Sequence, residues 1–338
     1  MPGLTPQEIE GLFAPLASHE KLGLAVSGGP DSLALMLLAA QWATAPGRPA
    51  LYVYSVDHGL RPEAAAEAAM VAREAEALGL HARVLRWEGD KPASGVQAAA
   101  RSARYRLMAD AMARDGVEIL ATAHHLADQA ETVLMRLAHG SGIDGLRGMD
   151  ALSFVEGCAI TRPLLGVHPD VLRQIVSDAG LSAALDPSNR DEDYERVRWR
   201  LMLPALEALG LTIERLGTFA RRMDEASRLI HADAEAAYPE IVTPLGGTEM
   251  ELAAGLLGTL NPAVATNILG SVLGLVSGDR RPPPLGALEL LARRLQRPEP
   301  MKPITLHGCV IASDGEVIRI RKEAPRRAAL KMAAATQG

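Results

Sequence analysis

The length, composition and charge of this sequence exclude several classes of protein. At 338 residues, of which 48% are hydrophobic, the chain is long enough for two domains, and its net charge of −6 argues against a protein coated with basic charge. With two cysteines, no run of roughly 18 apolar residues and no N-terminal secretion signal, it favours neither a disulfide framework nor a membrane span, and we expect a cytoplasmic protein.

Short apolar runs of strand length alternate with longer segments of helix length in the first part of the chain. Strands are predicted at residues 22–26, 51–56, 82–87 and 119–122, and helices at residues 5–14, from residue 32 onward, and at 63–78 and 94–114. This alternation is typical of an α/β fold whose parallel sheet is covered by helices on both faces. Functional residues are then expected at the carboxyl ends of the strands.

The break between the first strand and its helix has the composition of a phosphate-binding loop. It reads SGGPDS, and its residues are Ser27, Gly28, Gly29, Pro30, Asp31 and Ser32. Glycine lets the backbone approach a phosphate, proline suits the first helical position, and a helix N-terminus attracts an anion. No lysine follows before Lys91, so this is not a Walker loop. Asp31 would repel phosphates unless a Mg²⁺ ion lies between them or the helix terminus offsets its charge. A plain glycine turn between a buried strand and a helix is the alternative.

A second group of polar residues follows the fourth predicted strand. It comprises His124, His125, Asp128 and Glu131, which the spacing places near one helix face. One interpretation is a metal site, although HExxH is absent, and the other is an ordinary helix start with Asp128 as a cap and Glu131 in solvent. Asp57 and the phosphate loop also follow strands on the same sheet edge, so convergence on one crevice favours a functional role.

Six motifs follow one another in an order that resembles the tRNA(Ile)-lysidine synthase family of the PP-loop superfamily of N-type ATP pyrophosphatases. They are SGGPDS, VDHGLR (56–61), GVQAAARSARY (95–105), TAHHLADQAETVLMRLAHGSGIDGLRGM (122–149), RPLL (162–165) and DPSNRDEDYERVRWR (186–200). The resemblance implies a Rossmann-like parallel-sheet domain and a ligase that uses ATP and Mg²⁺. Such an enzyme adenylates the C2 carbonyl oxygen of the wobble cytidine in tRNA(Ile) with a CAU anticodon. The amine of free L-lysine then displaces AMP, which changes codon specificity from AUG to AUA.

The resemblance also implies roles for individual residues. Residues 27–32 resemble the ATP loop, with Asp31 toward Mg²⁺. The nucleotide and lysine site would comprise Asp57, Arg61, Arg101, His124, Asp128 and Glu131. Carboxylates suit Mg²⁺ and an ammonium group, and the planar fork of arginine suits phosphate or carboxylate. Taken without the resemblance, Arg101 and Arg104 would be an ordinary solvated helix face.

Three alternating arginines, Arg196, Arg198 and Arg200, lie just before a predicted helix. Because the net charge is negative, any contact with nucleic acid must come from local arginine clusters, and we predict that these three contact tRNA phosphates outside the ATP crevice. The family typically has asparagine where Val197 stands, so this position departs from the pattern. Trp199 would either stack on a base or pack in the core.

Beyond residue 206 the sequence predicts a smaller, mainly helical domain. Helices are expected at residues 213–238, 252–276 and 288–295, loops at 239–248 and 277–285, and a hairpin with strands at 304–312 and 316–320. We therefore expect an adenylation domain at residues 1–208, a helical domain that contacts tRNA at 209–325, and a disordered tail at 326–338.

Two other functions stay open. A tRNA thiolase of the same superfamily would need nucleophilic or cluster-binding cysteines, whereas Cys158 and Cys309 are isolated in the sequence. A non-catalytic nucleotide-binding or RNA-binding module would bind ATP without releasing pyrophosphate.

Overall fold

The protein divides into two compact units. The computed structural model describes residues 3–89, 91–92, 94–184, 193–279, 281–297 and 299–324. Unit 1 comprises Met1–Gly140 and Gly145–Arg221, and unit 2 comprises Ser141–Asp144 and Arg222–Gly338. The predicted tail at residues 326–338 and the motif residues 186–192 lie outside the described residues.

Unit 1 contains a six-stranded sheet with the order β3-β2-β1-β4-β6-β5. Its strands are β1 (Lys21–Ala25), β2 (Ala50–Asp57), β3 (His81–Arg86), β4 (Ile119–Ala121), β5 (Leu152–Val155) and β6 (Cys158–Thr161). All neighbours pair in parallel except β5 with β6. The predicted parallel sheet is therefore confirmed, and the β5–β6 hairpin adds an edge that the sequence analysis did not predict.

Helices cover this sheet on both faces, as the alternating pattern requires. The helices of unit 1 are α1 (Pro6–Phe13), α2 (Pro30–Trp42), α3 (Ala64–Ala77), α4 (Val96–Asp115), α5 (Leu126–Ala138), α7 (Pro169–Asp178) and α8 (Glu195–Ala208), whereas α6 (Ile143–Leu146) and α9 (Ile213–Ile241) contain residues of both units. The core beneath α1 and α2 includes a stacked pair, Phe13 and Trp42, with ring centroids 5.3 Å apart. Trp199 packs against a separate small cluster beside α5, so the packing interpretation is correct for it.

Unit 2 combines helices with a five-stranded antiparallel sheet of order β7-β8-β11-β10-β9. Its other elements are β7 (Val242–Gly246), β8 (Glu249–Ala253), α10 (Ala254–Thr259), α11 (Pro262–Ser277), α12 (Leu285–Leu295), β9 (Met301–Leu306), β10 (Cys309–Ser313) and β11 (Val317–Lys322). The predicted β10–β11 hairpin is present. In the described part of the chain, no helix combines the length and apolar character that a membrane crossing needs.

Unit 2 is mainly helical as predicted, but the expectation that one hairpin is its whole sheet is wrong, because the sheet has five strands. The predicted strand at residues 304–312 is two strands, because the backbone reverses at His307 (φ 52°) and Gly308 (φ 70°). Two successive positive φ angles are those of the tight turns that join antiparallel strands. The predicted loop at residues 239–248 instead contains β7, whose partner β8 completes the other half of the sheet.

Candidate active site

A cleft of about 570 Å³ opens at the carboxyl ends of β1, β2 and β4. The predicted site residues in its walls are Ser27, Gly29, Pro30, Asp31, Ser32, Arg61, Arg101, His124, Asp128 and Arg200. Those outside its walls are Gly28, Asp57, Glu131, Arg196 and Arg198. The parallel sheet thus brings most of the predicted residues together at one edge, although they come from distant parts of the sequence.

The loop between β1 and α2 is held in shape by its own hydroxyl groups. The backbone N–H of Ser27 donates to Oγ of Ser32 (3.1 Å), and this hydroxyl donates to the carbonyl of Gly29 (2.9 Å). Gly28 has a φ of +89°, which favours glycine, and its carbonyl accepts from the N–H of Ala184 (2.9 Å). Ser32 therefore shapes the loop from within, because its hydrogen is donated inside the loop.

Helix α2 begins without a side-chain cap. Gly29 occupies the cap position, and Pro30 and Asp31 form the start of the first turn. The first backbone N–H groups of a helix have no partner within the helix, and the helix dipole adds positive potential at the same point. This end of α2 is thus suited to an anion such as a phosphate group.

Asp31 combines an unpaired oxygen with a histidine partner. Its Oδ1 is buried and lacks a hydrogen-bond partner among the described residues, while Oδ2 lies 3.5 Å from Nε2 of His125. A buried carboxylate oxygen without a partner is costly unless a cation or donor occupies the space beside it. The arrangement therefore fits a divalent cation held jointly by Asp31 and bound phosphates.

A metal ion held by the protein alone is not supported. No group of three or more His, Cys, Asp and Glu side chains in the described residues is arranged to hold one. The metal interpretation of the segment from His124 to Glu131 gains no support, because His125 and Asp128 bond each other at the start of α5 and the buried Glu131 binds two arginines.

His125 and Asp128 form a reciprocal cap at the N-terminus of α5. The N–H of His125 donates to Oδ2 of Asp128 (3.0 Å), and the N–H of Asp128 donates to Nδ1 of His125 (3.4 Å). Burial lowers the pKa of His125, but Asp31, Asp128 and Glu131 outweigh burial and raise it above its ordinary value. Burial raises the pKa of Asp128, yet the neighbouring positive charges, first His125, hold it below the usual range. The charged form of Asp128 is therefore favoured, whereas the hydrogen bond that Nδ1 of His125 accepts requires this nitrogen to be unprotonated.

His124 behaves in the opposite way. Burial lowers its pKa to about 4, and the charges of Arg162, Arg196 and Arg101 act in the same direction against the attraction of Asp128. Its Nδ1 lies 2.9 Å from the hydroxyl of Thr122. His124 is therefore a neutral imidazole in the cleft wall at neutral pH.

Glu131 is fully buried and binds two arginines of α8. Its Oε2 accepts from Nε of Arg196 (2.8 Å), and its Oε1 accepts from Nε of Arg200 (2.7 Å). The alternative that Glu131 faces solvent is wrong, because its carboxylate points toward α8. The expectation that the arginines lie outside the crevice is also wrong for Arg200, which lines the cleft. Arg198 is exposed and donates to the carbonyl of Asp193 (3.1 Å).

Other predicted residues have local partners. Asp57 ends β2, where its buried carboxylate accepts from the N–H of Gly59 (2.9 Å) and lies 3.4 Å from Nε of Arg86. It therefore shapes the turn after β2 and does not line the cleft. Arg61 pairs with Glu67 (2.9 Å), and the guanidinium of Arg101 lies over the ring of Tyr105.

Sequence reasoning assigned no role in the site to several residues of the cleft wall, among them Thr122 and Arg104. Thr122 ends the strand segment before the two histidines, and Arg104 donates from Nε to Nε2 of His58 (3.2 Å). The position of Thr122 at the carboxyl end of a predicted strand was the available signal. Arg104 is one helical turn from Arg101, which places both on one face of α4.

Both cysteines are buried, free and absent from the cleft walls. Burial raises the pKa of the Cys158 thiol to about 11, and its Sγ lies 3.4 Å from the carbonyl of Tyr105. Burial likewise raises the pKa of Cys309, which is in unit 2. A thiol with a raised pKa is a poor nucleophile, so the thiolase alternative loses support.

Comparisons with known proteins agree with this geometry. The model of the PP-loop domain family, whose members bind ATP, matches residues 4–206. The chain is 40% identical to the tRNA(Ile)-lysidine synthase of Bradyrhizobium sp. (strain BTAi1 / ATCC BAA-1182), with 96% of each chain covered. It is 43% identical to that of Rhodopseudomonas palustris (strain ATCC BAA-98 / CGA009), with 95% of each covered. Its fold is similar to that of the U34-tRNA thiolase NcsA from Methanococcus maripaludis (TM-score 0.55, 15% identity), over 65% of this chain and 78% of that one.

Proposed function

Because the chain belongs to the PP-loop family and, within it, to the tRNA(Ile)-lysidine synthases, we propose that it joins free L-lysine to C2 of the wobble cytidine in a tRNA(Ile) with a CAU anticodon. The reaction consumes ATP and releases pyrophosphate and AMP. One observation supports the proposal for the site. The uncapped N-terminus of α2, an unpaired oxygen of Asp31 and the guanidinium of Arg200 lie at a single cleft.

The first step is adenylation of the cytidine. The O2 atom of the base attacks the α-phosphorus of ATP, an O–P bond forms, and the bond to the β-phosphate oxygen breaks with its electron pair on pyrophosphate. The N–H groups at the start of α2 are suited to stabilise that leaving charge. Arg61 and Arg101 in the cleft walls provide further positive charge for phosphate oxygens. We assign residues 27–31 to ATP binding and Ser32 to the shape of the loop.

The second step is the attack by lysine. The lone pair of the ε-amine attacks C2, an N–C bond forms, and the C2–O bond breaks with its electron pair on AMP. Asp128 lines the cleft and favours its charged form, so its carboxylate suits the lysine ammonium before the amine loses its proton. Glu131 acts on this site as a positioning residue through Arg196 and Arg200.

Mg²⁺ is proposed as the cation beside Asp31. The unpaired Oδ1 supplies one hard oxygen ligand, and the phosphates of ATP would supply others, which suits an ion that favours few protein ligands. An ion held there would supply positive charge for the pyrophosphate leaving group. The histidine beside Oδ2 orients the carboxylate through its Nε2.

The tRNA would be held by surfaces other than the ATP cleft. Arg198 is exposed and is proposed to contact phosphate, whereas Arg196 and Arg200 are committed to Glu131. We further propose that residues 1–208 carry the adenylation chemistry and that residues 209–325 contact tRNA.

Mass spectrometry of the tRNA nucleosides tests the proposal. After incubation with ATP, ¹³C-labelled lysine and tRNA(Ile) bearing a CAU anticodon, we expect labelled lysidine together with equal amounts of AMP and pyrophosphate. Asp31→Asn should lower turnover by orders of magnitude without unfolding the protein, because the lost contribution is charge stabilisation in the transition state. Release of pyrophosphate without a lysine-containing nucleoside would overturn the assignment.

A further inference from the structure

Thr122 links His124 to the main chain of a neighbouring strand. Its Oγ1 lies 2.9 Å from Nδ1 of His124 and 3.3 Å from the carbonyl oxygen of Thr161. A hydroxyl carries one hydrogen, and a carbonyl oxygen can only accept. If Thr122 donates to Thr161, then Nδ1 must carry the imidazole hydrogen and donate to Thr122. The lone pair of the ring is then on Nε2.

The surroundings of His124 favour this tautomer. His124 lines the cleft, and its Nε2 has no hydrogen-bond partner among the residues that the structure describes. Arg101 in the cleft wall, together with Arg162 and Arg196 outside it, acts on the ring, with Asp128 as the opposing charge. Positive charge around the cleft stabilises a lone pair that is turned toward it and disfavours an N–H there. A neutral acceptor therefore faces a cleft rich in guanidinium donors.

The ligands of the proposed reaction differ in what they need from such an acceptor. Phosphate oxygens need donors, which the arginines and the α2 N-terminus supply. The ammonium group of lysine is best matched by a carboxylate such as Asp128. An uncharged acceptor instead suits an uncharged N–H, and the exocyclic amino groups of adenine and cytosine are of this kind.

We propose that Thr122 is a positioning residue that fixes His124 as a hydrogen-bond acceptor, and that Nε2 receives the exocyclic amino group of a nucleobase bound in the cleft. This inference rests on the proposed function, which brings an adenine and a cytosine to the same cleft. Guanine and uracil carry a carbonyl oxygen at the equivalent position, so their lone pairs would oppose that of Nε2. His124 is thus a specificity-determining residue.

Nitrogen NMR of the free protein tests the tautomer directly. With ¹⁵N-labelled histidine at pH 7.5 (roughly three pH units above the low pKa of an imidazole buried in this way), Nδ1 of His124 should be protonated and Nε2 should not. Thr122→Val should mix the two tautomers, because it removes the hydroxyl with little change in shape. Thr161→Val is the matched control, because it removes a neighbouring hydroxyl and keeps the backbone carbonyl. A protonated Nε2 in the wild-type protein, or a spectrum unchanged in Thr122→Val, would overturn the proposal.

Two kinetic comparisons identify the base. If adenine is bound, purine riboside triphosphate, which lacks the amino group, should be used roughly tenfold less efficiently than ATP, and His124→Leu should abolish that preference. If cytosine is bound, pyrophosphate release with a C34 tRNA should exceed that with a U34 tRNA, and His124→Leu should reduce this ratio roughly tenfold. In either case His124→Gln should restore the preference, because its amide oxygen accepts. Retention of both preferences in His124→Leu would refute the inference. Failure of the wild-type protein to form lysidine would instead refute the proposed function, and the NMR result would still stand.

Discussion

Replacement of Glu131 by glutamine should destabilise unit 1 and weaken the site at the same time. The carboxylate is fully buried and accepts from the Nε atoms of Arg196 and Arg200 at 2.8 and 2.7 Å. Removing one partner of a buried pair typically costs about 3–5 kcal/mol. The two guanidinium side chains are 37% and 42% exposed and can regain water, so we expect a loss near the lower end, about 3 kcal/mol.

Differential scanning calorimetry is the appropriate assay, because two units can unfold in separate transitions. A loss of about 3 kcal/mol should lower the transition of unit 1 by about 6–12 °C for a unit of this size and leave that of unit 2 in place. The matched control is Glu207→Gln on the exposed side of α8, which should change stability by less than about 0.5 kcal/mol. A Glu131→Gln protein that unfolds like the wild type would refute the argument.

The same variant separates positioning from direct chemistry. If Glu131 acts only through Arg200, then the double variant Glu131→Gln/Arg200→Gln should be no slower than the worse single variant, because both changes disrupt the same interaction. Independent effects on turnover, which multiply in the double variant, would show that the carboxylate has a separate role.

Three other outcomes follow from contacts of single residues. The guanidinium of Arg83 holds the pKa of Asp115 below its usual range, so this pair stabilises the fold above about pH 4 and ceases to do so as the pH falls through the folded pKa. Urea unfolding of Asp115→Asn should accordingly lose about 2 kcal/mol at pH 7 and converge with the wild type in acid, and a pH-independent difference would contradict this. The double change Cys158→Ser and Cys309→Ser should keep lysidine formation in a steady-state assay, because both thiols are buried away from the cleft, and an inactive but folded variant would revive the thiolase alternative. Arg198→Ala should lower the slope of log affinity for tRNA against log salt by about one unit without lowering turnover at saturating tRNA, whereas an unchanged slope would make this residue an ordinary surface arginine.

Several features of the protein could be predicted from local sequence patterns. The alternation of apolar runs predicts the parallel sheet of unit 1, because strand and helix periods depend on neighbouring residues. SGGPDS predicts a strand, a tight loop and a helix start, and this is how residues 21–42 fold. The expectation that polar residues after different strands share one edge also follows from parallel topology. Asp31, His124 and Asp128 do line one cleft, whereas Asp57 lies outside its walls.

Pairing between distant residues could not be predicted in this way. The sequence leaves open whether Glu131 faces solvent or the interior, since one charged residue on a helix is compatible with either. Packing of α8 beside α5 decides it, because two arginines 65 and 69 residues away supply the charges that a buried carboxylate requires. The sheet of unit 2 has the same origin. The strand β11 was predicted, but β8 was not, and β8 is stabilised by pairing with β11 across a long stretch of chain. Local propensity favours a helix or a strand in a given segment, whereas the partner of a side chain or strand is decided by the free energy of burial and pairing, which only the folded chain provides.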